Sequence, residues 1–263
     1  MSFEFDEAVA LDPTGDHEWA AVVSPDWNVR SSPNGGYLLC LGLSALHQML
    51  PHPDPFAISA HYPLRADVGP AYVRTELVRQ GISLSTGVAR IQQLRRTRVH
   101  VTATFGDLTQ MQGPTAVQAE LPELPPPDEC VKADPELAGE FMRRFDLRLT
   151  PDSSAWARGR PTGIAEIAGW IRFADGRPPD VRSLPLFADA FPPTAFNVVD
   201  GIAWVPTLEL TVHVRGRPAD GWLRCRFRTR FLIDGYLEED GELWDSTGRL
   251  VALSRQMARI QPR

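Results

Sequence analysis

A helix-length apolar segment followed by several strand-like segments occurs twice in this 263-residue chain, at an offset of about 150 residues, and that repetition constrains the fold more than any local motif. In the first copy Asn34-Gly35-Gly36 precedes YLLCLGLSALHQML, whose apolarity on every side predicts a buried helix ending at Pro51. Strand-like segments follow at 57–65, 71–80, 85–94 and 98–105. Within them Val73, Thr75 and Leu77, and then Val99, Val101, Ala103 and Phe105, alternate with polar residues as half-buried antiparallel strands require. The second copy runs from 165–173 into SLPLFADAF (183–191), a shorter helix candidate stopped by Pro192-Pro193. Strands are then predicted at 207–215, 222–232, 236–245 and 249–260, and the offset aligns Arg65 with Arg215, Tyr72 with Trp222 and Val99 with Val251. A helix followed by antiparallel strands, used twice, predicts two α+β halves whose sheets share a core. Proline and acidic residues concentrate from Gln112 to Pro135, the composition of a solvated linker, which divides the chain into 1–111, 112–135 and 136–263.

Composition narrows the function by exclusion. A net charge of -6 offers no global attraction for a phosphate backbone, so a nucleic-acid partner is not expected. No apolar run reaches the ~18 residues of a membrane span, and the acidic start MSFEFDEAVA lacks the basic region of an export signal, so a cytoplasmic location is expected. Cys40, Cys130 and Cys225 are far apart and outside any CxxC pair, which argues against a disulfide framework or a structural zinc site, and no metal is expected. Lys132 is the only lysine, and it stands in CVKAD, which removes a Walker A loop and leaves Schiff-base chemistry without a suitable residue. Neither a GxG dinucleotide fingerprint nor a GxSxG elbow occurs.

The segments PNGGYLLCLGLSAL, RQGISLSTGVARIQQ and DSTGRLVALSRQ resemble the double-hotdog acyl-CoA thioesterases of the type II bacterial class and their actinobacterial relatives. The resemblance covers nearly the whole chain apart from the linker. It implies an α+β tandem hotdog, two helix-wrapped antiparallel sheets packed as a pseudo-dimer, and hydrolysis of acyl-CoA thioesters without a cofactor beyond the coenzyme A of the substrate. The family holds its hydrolytic water with a carboxylate, a hydroxyl residue and a glutamine from the second hotdog. Carried over, these fall on Glu209 in PTLELTVH, Thr229 in RFRTRF and Gln256 in SRQMAR, with Glu209 standing where the family has Asp.

Those residue types suit the chemistry, which needs a base, a group to orient water and donors for the developing oxyanion. Glu209 supplies the base, Gln256 both an acceptor and a donor, and Thr229 a relay. Amides around Asn34, Gly35 and Gly36, at a helix N-terminus, are the expected substrate-binding donors. The first half carries Ser59, Arg79 and Thr104 at the positions matching the polar set, and the second carries Leu186 near the place of Gly36. One composite site follows: a helix start from the first half and polar residues from the second. A small-molecule acyl-CoA is the expected partner, with a homo-oligomer formed through sheet edges. An acyl-CoA-binding double hotdog without activity is the main alternative. An enoyl-CoA hydratase is less favoured, because no histidine follows Asp54 at a sensible spacing.

Overall fold

The structure, a computed structural model, describes residues 2–262. In the first half β1 (Glu18–Val23) precedes the long helix Gly35–Met49, which is followed by β2 (Asp54–His61), β3 (Gly69–Gln80), β4 (Ser85–Gln93) and β5 (Arg96–Gly106). The second half holds β6 (Phe145–Leu149), β7 (Glu166–Phe173), the short helix Leu184–Ala188, β8 (Thr207–Val214), β9 (Leu223–Arg228), β10 (Tyr236–Trp244) and β11 (Leu250–Arg259). With the short strands Asp12–Gly15, Val131–Lys132 and Leu232–Ile233 they form one 14-stranded sheet. From one edge its order is Asp12–Gly15, β1, β3, β4, β5, β2, β8, β11, β10, β9, β7, β6, Val131–Lys132. The order reads the same outward from the β2–β8 seam in both directions. At the seam Ala60 pairs with Leu210, two residues related by the 150-residue repeat, as a two-fold axis through that point requires.

The long helix forms because Asn34 caps it, its side chain accepting the Tyr37 N–H at 2.8 Å, and it ends at Leu50, before Pro51. Gly36 to Leu43, Ala45 and Leu46 are all buried, so the sheet wraps the helix instead of lying on one face of it. The second helix is shorter than the 183–191 segment predicted for it. It ends at Ala188, and Asp189 leaves helical geometry and turns toward the start of the long helix. A Cβ on Gly36 would lie 2.8 Å from the Pro185 carbonyl oxygen and 3.1 Å from the Leu186 Cα, so glycine is what lets the two helices meet so closely.

The halves also exchange contacts at their rims. Phe5 and Trp27 pack against Phe173, Phe141 and Phe145, and Arg177 bonds Asp6. Arg217 donates two hydrogen bonds to the buried carboxylate of Asp54, at 3.0 and 2.9 Å. The linker is less solvated than its composition suggests. Its second part docks on the outer face of the sheet, where Trp170 donates to the Pro125 carbonyl and Arg224 to that of Pro122, each at 2.8 Å. Val131–Lys132 then pairs with β6. Proline carbonyls are free acceptors, and these aromatic and cationic side chains satisfy them.

Candidate active site

Inner and outer faces of the sheet decide which polar residues can meet. Along β11 the residues Ala252, Ser254, Gln256 and Ala258 face the helices, and along β10 the residues Leu237, Glu239, Gly241 and Leu243 do. On β8 strict alternation would put Thr207 and Glu209 on one face. A bulge intervenes: Thr207 pairs with Ala258, while Glu209 pairs with Met257. The extra residue turns Thr207 inward with Leu210 and leaves Glu209 on the outer face.

The structure therefore does not bring the expected polar set together. Glu209 accepts from Ser59 Oγ at 2.9 Å and from the Thr211 hydroxyl, both on the outer surface of the seam. Thr229 follows β9 and donates to the Glu238 carbonyl at 2.7 Å, with its oxygen 2.7 Å from that of Thr194. Gln256 alone of the three reaches the start of the long helix. Its amide donates to Asp189 Oδ1 at 3.0 Å and to the Thr207 hydroxyl.

Asp189 is the centre of the cluster. Its Oδ2 accepts from the Gly36 N–H at 2.7 Å and from Asn34 Nδ2 at 2.9 Å, and Asn34 also donates to the Asp189 carbonyl at 2.9 Å. The Asn34, Gly35 and Gly36 region thus does face second-half chemistry. Its amides, however, are already engaged: Gly36 N–H holds the Asp189 carboxylate, and Asn34 N–H bonds the Trp27 carbonyl at 3.0 Å. Tyr62 closes the side, donating from its hydroxyl to the Gly35 carbonyl at 2.9 Å. Asp189 keeps some accessible surface, yet protein crowding about its carboxylate pushes it up to about 6, against the lowering pull of Gly36, Gln256 and Asn34. A carboxylate held by a helix N-terminus and two amides, with an acid strength near neutral pH, can take and return a proton.

Sequence reading missed Asp189 and Thr207. A signal for Asp189 was present: it interrupts an apolar stretch, FADAF, just before Pro192-Pro193. Thr207 carried none, because bulges leave no mark in an alternating pattern.

This geometry, two helices back to back within a sheet that repeats about a two-fold axis, defines a double hotdog. A protein of Alicyclobacillus acidocaldarius with a hot dog fold superposes on it with a TM-score of 0.90, at 22% identity over 100% of both chains. Residues 23–106 match the model of the acyl-CoA thioesterase N-terminal domain, and residues 119–260 that of the acyl-CoA thioesterase C-terminal domain. The chain belongs to the acyl-CoA thioesterase family. A Thermobifida fusca protein assigned to the thioesterases II is 32% identical, with a TM-score of 0.91 over 98% of each chain. An uncharacterized protein of Mycobacterium tuberculosis is 28% identical over 257 residues, 89% of this chain and 88% of its own. No helix among the described residues is long and apolar enough to cross a membrane.

Proposed function

We propose that the protein hydrolyses acyl-CoA thioesters to coenzyme A and a free acid, with water held by Asp189, Thr207 and Gln256. The observation that carries this reading is the Asp189 carboxylate, contributed by the second half and held at 2.7 Å by the helix N-terminus of the first. The family supplies the substrate class, and the cluster supplies a base without histidine, serine or metal.

In this reading Asp189 takes a proton from water as its oxygen attacks the thioester carbonyl carbon. The tetrahedral intermediate collapses with cleavage of the carbon–sulfur bond, and the proton held by Asp189 passes to the leaving thiolate. Gln256 orients the carboxylate through its amide N–H. Its side-chain oxygen remains to accept from the water. Thr207, which accepts from Gln256, keeps its own hydrogen to donate toward water or the carbonyl oxygen. The reading replaces Glu209 and Thr229 in the roles that the resemblance gave them, because Glu209 lies on the outer face and the Thr229 hydroxyl is engaged by Glu238 and Thr194 instead of Gln256 or Asp189.

Purified protein incubated with acyl-CoAs of graded length, with free thiol followed against an enzyme-free blank, tests the reaction. Thiol release that Asp189→Asn and Gln256→Ala both suppress supports it. Tight binding of acyl-CoA without release would overturn it in favour of a binding protein.

A further inference from the structure

Glu239 is a carboxyl where the inner face of β10 otherwise places Leu237, Gly241 and Leu243, and it is only 7% exposed. In the β10–β11 register it stands directly opposite Gln256, the residue whose amide holds Asp189. Its Oε2 accepts the Thr194 N–H at 2.8 Å. Thr194 lies five residues beyond Asp189, past Phe191-Pro192-Pro193, so this contact ties the segment carrying Asp189 to the strand beside Gln256.

The hydroxyl groups beside Glu239 give its charge no support. Thr229 spends its one hydroxyl hydrogen on the Glu238 carbonyl, so the 2.7 Å contact between the Thr194 and Thr229 oxygens must use the hydrogen of Thr194. Thr194 then has lone pairs but no hydrogen left for Glu239. Glu239 is held by the Thr194 N–H, and for a carboxyl this buried the lack of further donors among the described residues favours the uncharged acid. Among the described residues no cation acts on Glu239. Glu239 faces Gln256 across β11, and on the β9 side it has Phe227, opposite Gly241, one inner-face position away and Thr229 just past the strand end. Glu238 and Asp240 turn to the outer face, where Arg230 and Arg255 meet them. Asp189 is the charged group that acts on it, and it carries the same sign.

We propose that Glu239 is a positioning residue of the Asp189 site, present as the uncharged acid in the working enzyme, that anchors the Asp189 segment and leaves Asp189 the single negative charge there. The proposal rests on the thioesterase reading above. Burial, helped by the Asp189 charge and opposed by the Thr194 N–H, pushes the Glu239 carboxyl up to about 7. A second ionisation would place another negative charge beside a reaction that develops an oxyanion, so activity falls as pH climbs past that point. The two carboxyls then titrate as a pair, the singly ionised form being active.

The test compares pH profiles of kcat/KM for the wild type, Glu239→Gln and Glu239→Leu, with thermal melts to confirm folding. Glutamine keeps the shape of the neutral acid and its side-chain oxygen can accept the Thr194 N–H, whereas leucine offers no acceptor. The expected result is a decline above pH 7 in the wild type that is absent in Glu239→Gln, making the variant about ten-fold faster than the wild type near pH 8. Glu239→Leu is expected to lose about ten-fold or more at every pH, and the glutamine variant to recover most of that loss. An unchanged alkaline limb in Glu239→Gln, or loss in Glu239→Gln equal to that in Glu239→Leu, overturns the proposal. A carbon-13 carboxyl titration, assigned by the resonance lost in Glu239→Gln, separates this failure from that of the thioesterase reading. Should no acyl-CoA be hydrolysed, a Glu239 resonance titrating above pH 6 still supports the uncharged acid, and one titrating in the ordinary glutamate range overturns it.

Discussion

Replacing Asp189 with Asn removes the charge on which the proposed chemistry depends, and the same change is expected to stabilise the fold. Crowding raises this carboxyl from 3.8 to about 6, so ionising it in the folded protein costs at most about 3 kcal/mol more than in the unfolded chain. The sign follows from proton counting. Between about pH 4 and pH 6 the unfolded chain has released this proton while the folded protein retains it, so raising pH weakens the fold; below that window the cost vanishes, and above it the cost is complete. Asparagine carries no such cost, although its amide nitrogen must be accommodated beside the Gln256 amide, which offsets about 1 kcal/mol. Asp189→Asn is therefore expected to gain about 1–3 kcal/mol over the wild type at pH 8 and to show no such gain near pH 4. Urea unfolding of both proteins across that range measures the difference. A difference that stays constant with pH would refute the reasoning, because it would mean that Asp189 meets no more resistance to ionisation in the fold than out of it.

Three further expectations rest on single contacts. Gly36→Ala places a methyl 2.8 Å from both the Pro185 carbonyl oxygen and the Asp189 Cβ, so the helices must part; a loss of about 1–3 kcal/mol in unfolding free energy is expected, with a fall in thioesterase rate. Arg217→Ala leaves the buried Asp54 carboxylate without its two donors across the halves, and denaturant titration is expected to show a loss of about 2 kcal/mol. In acyl-CoA turnover assays kcat/KM is expected to rise with pH through about 6 as Asp189 ionises, and an acid limb centred near 4 would remove Asp189 from the role of base.

Much of the architecture could be read from residues alone because hydrophobic periodicity and repetition are local and additive. The helix from Gly35 was marked by Asn34 and by Pro51, and most strands lie within a few residues of the alternating segments. Edge and rim elements were harder. Strand β6 is only Phe145–Leu149, too short to stand out, and the linker docks through carbonyl groups that every residue possesses. Leu77, placed inside by alternation, is 45% exposed although its pairing with Gly87 keeps the regular register, because the end of β3 from Glu76 onward is exposed on both faces.

The site shows the same limit more sharply. Its composite character, helix start from one half and polar residues from the other, followed from comparing the two copies. The individual partners of Gln256 did not. One bulge in β8 exchanges Thr207 for Glu209 on the inner face, and helix termination at Ala188 instead of Phe191 turns Asp189 into the gap between helices. Both are backbone events of a single residue, fixed by tertiary packing and invisible to a period of two or 3.6.

The most direct test of the central claim sets Asp189→Asn beside Glu209→Gln in one assay of thiol release from acyl-CoA near neutral pH. The two carboxylates lie on opposite faces of the sheet, so a single comparison separates the inner cluster from the outer one. Loss of about 10²–10⁴-fold in kcat for Asp189→Asn, with Glu209→Gln within about two-fold of the wild type, is the predicted result. Retained activity in Asp189→Asn together with loss in Glu209→Gln would contradict it.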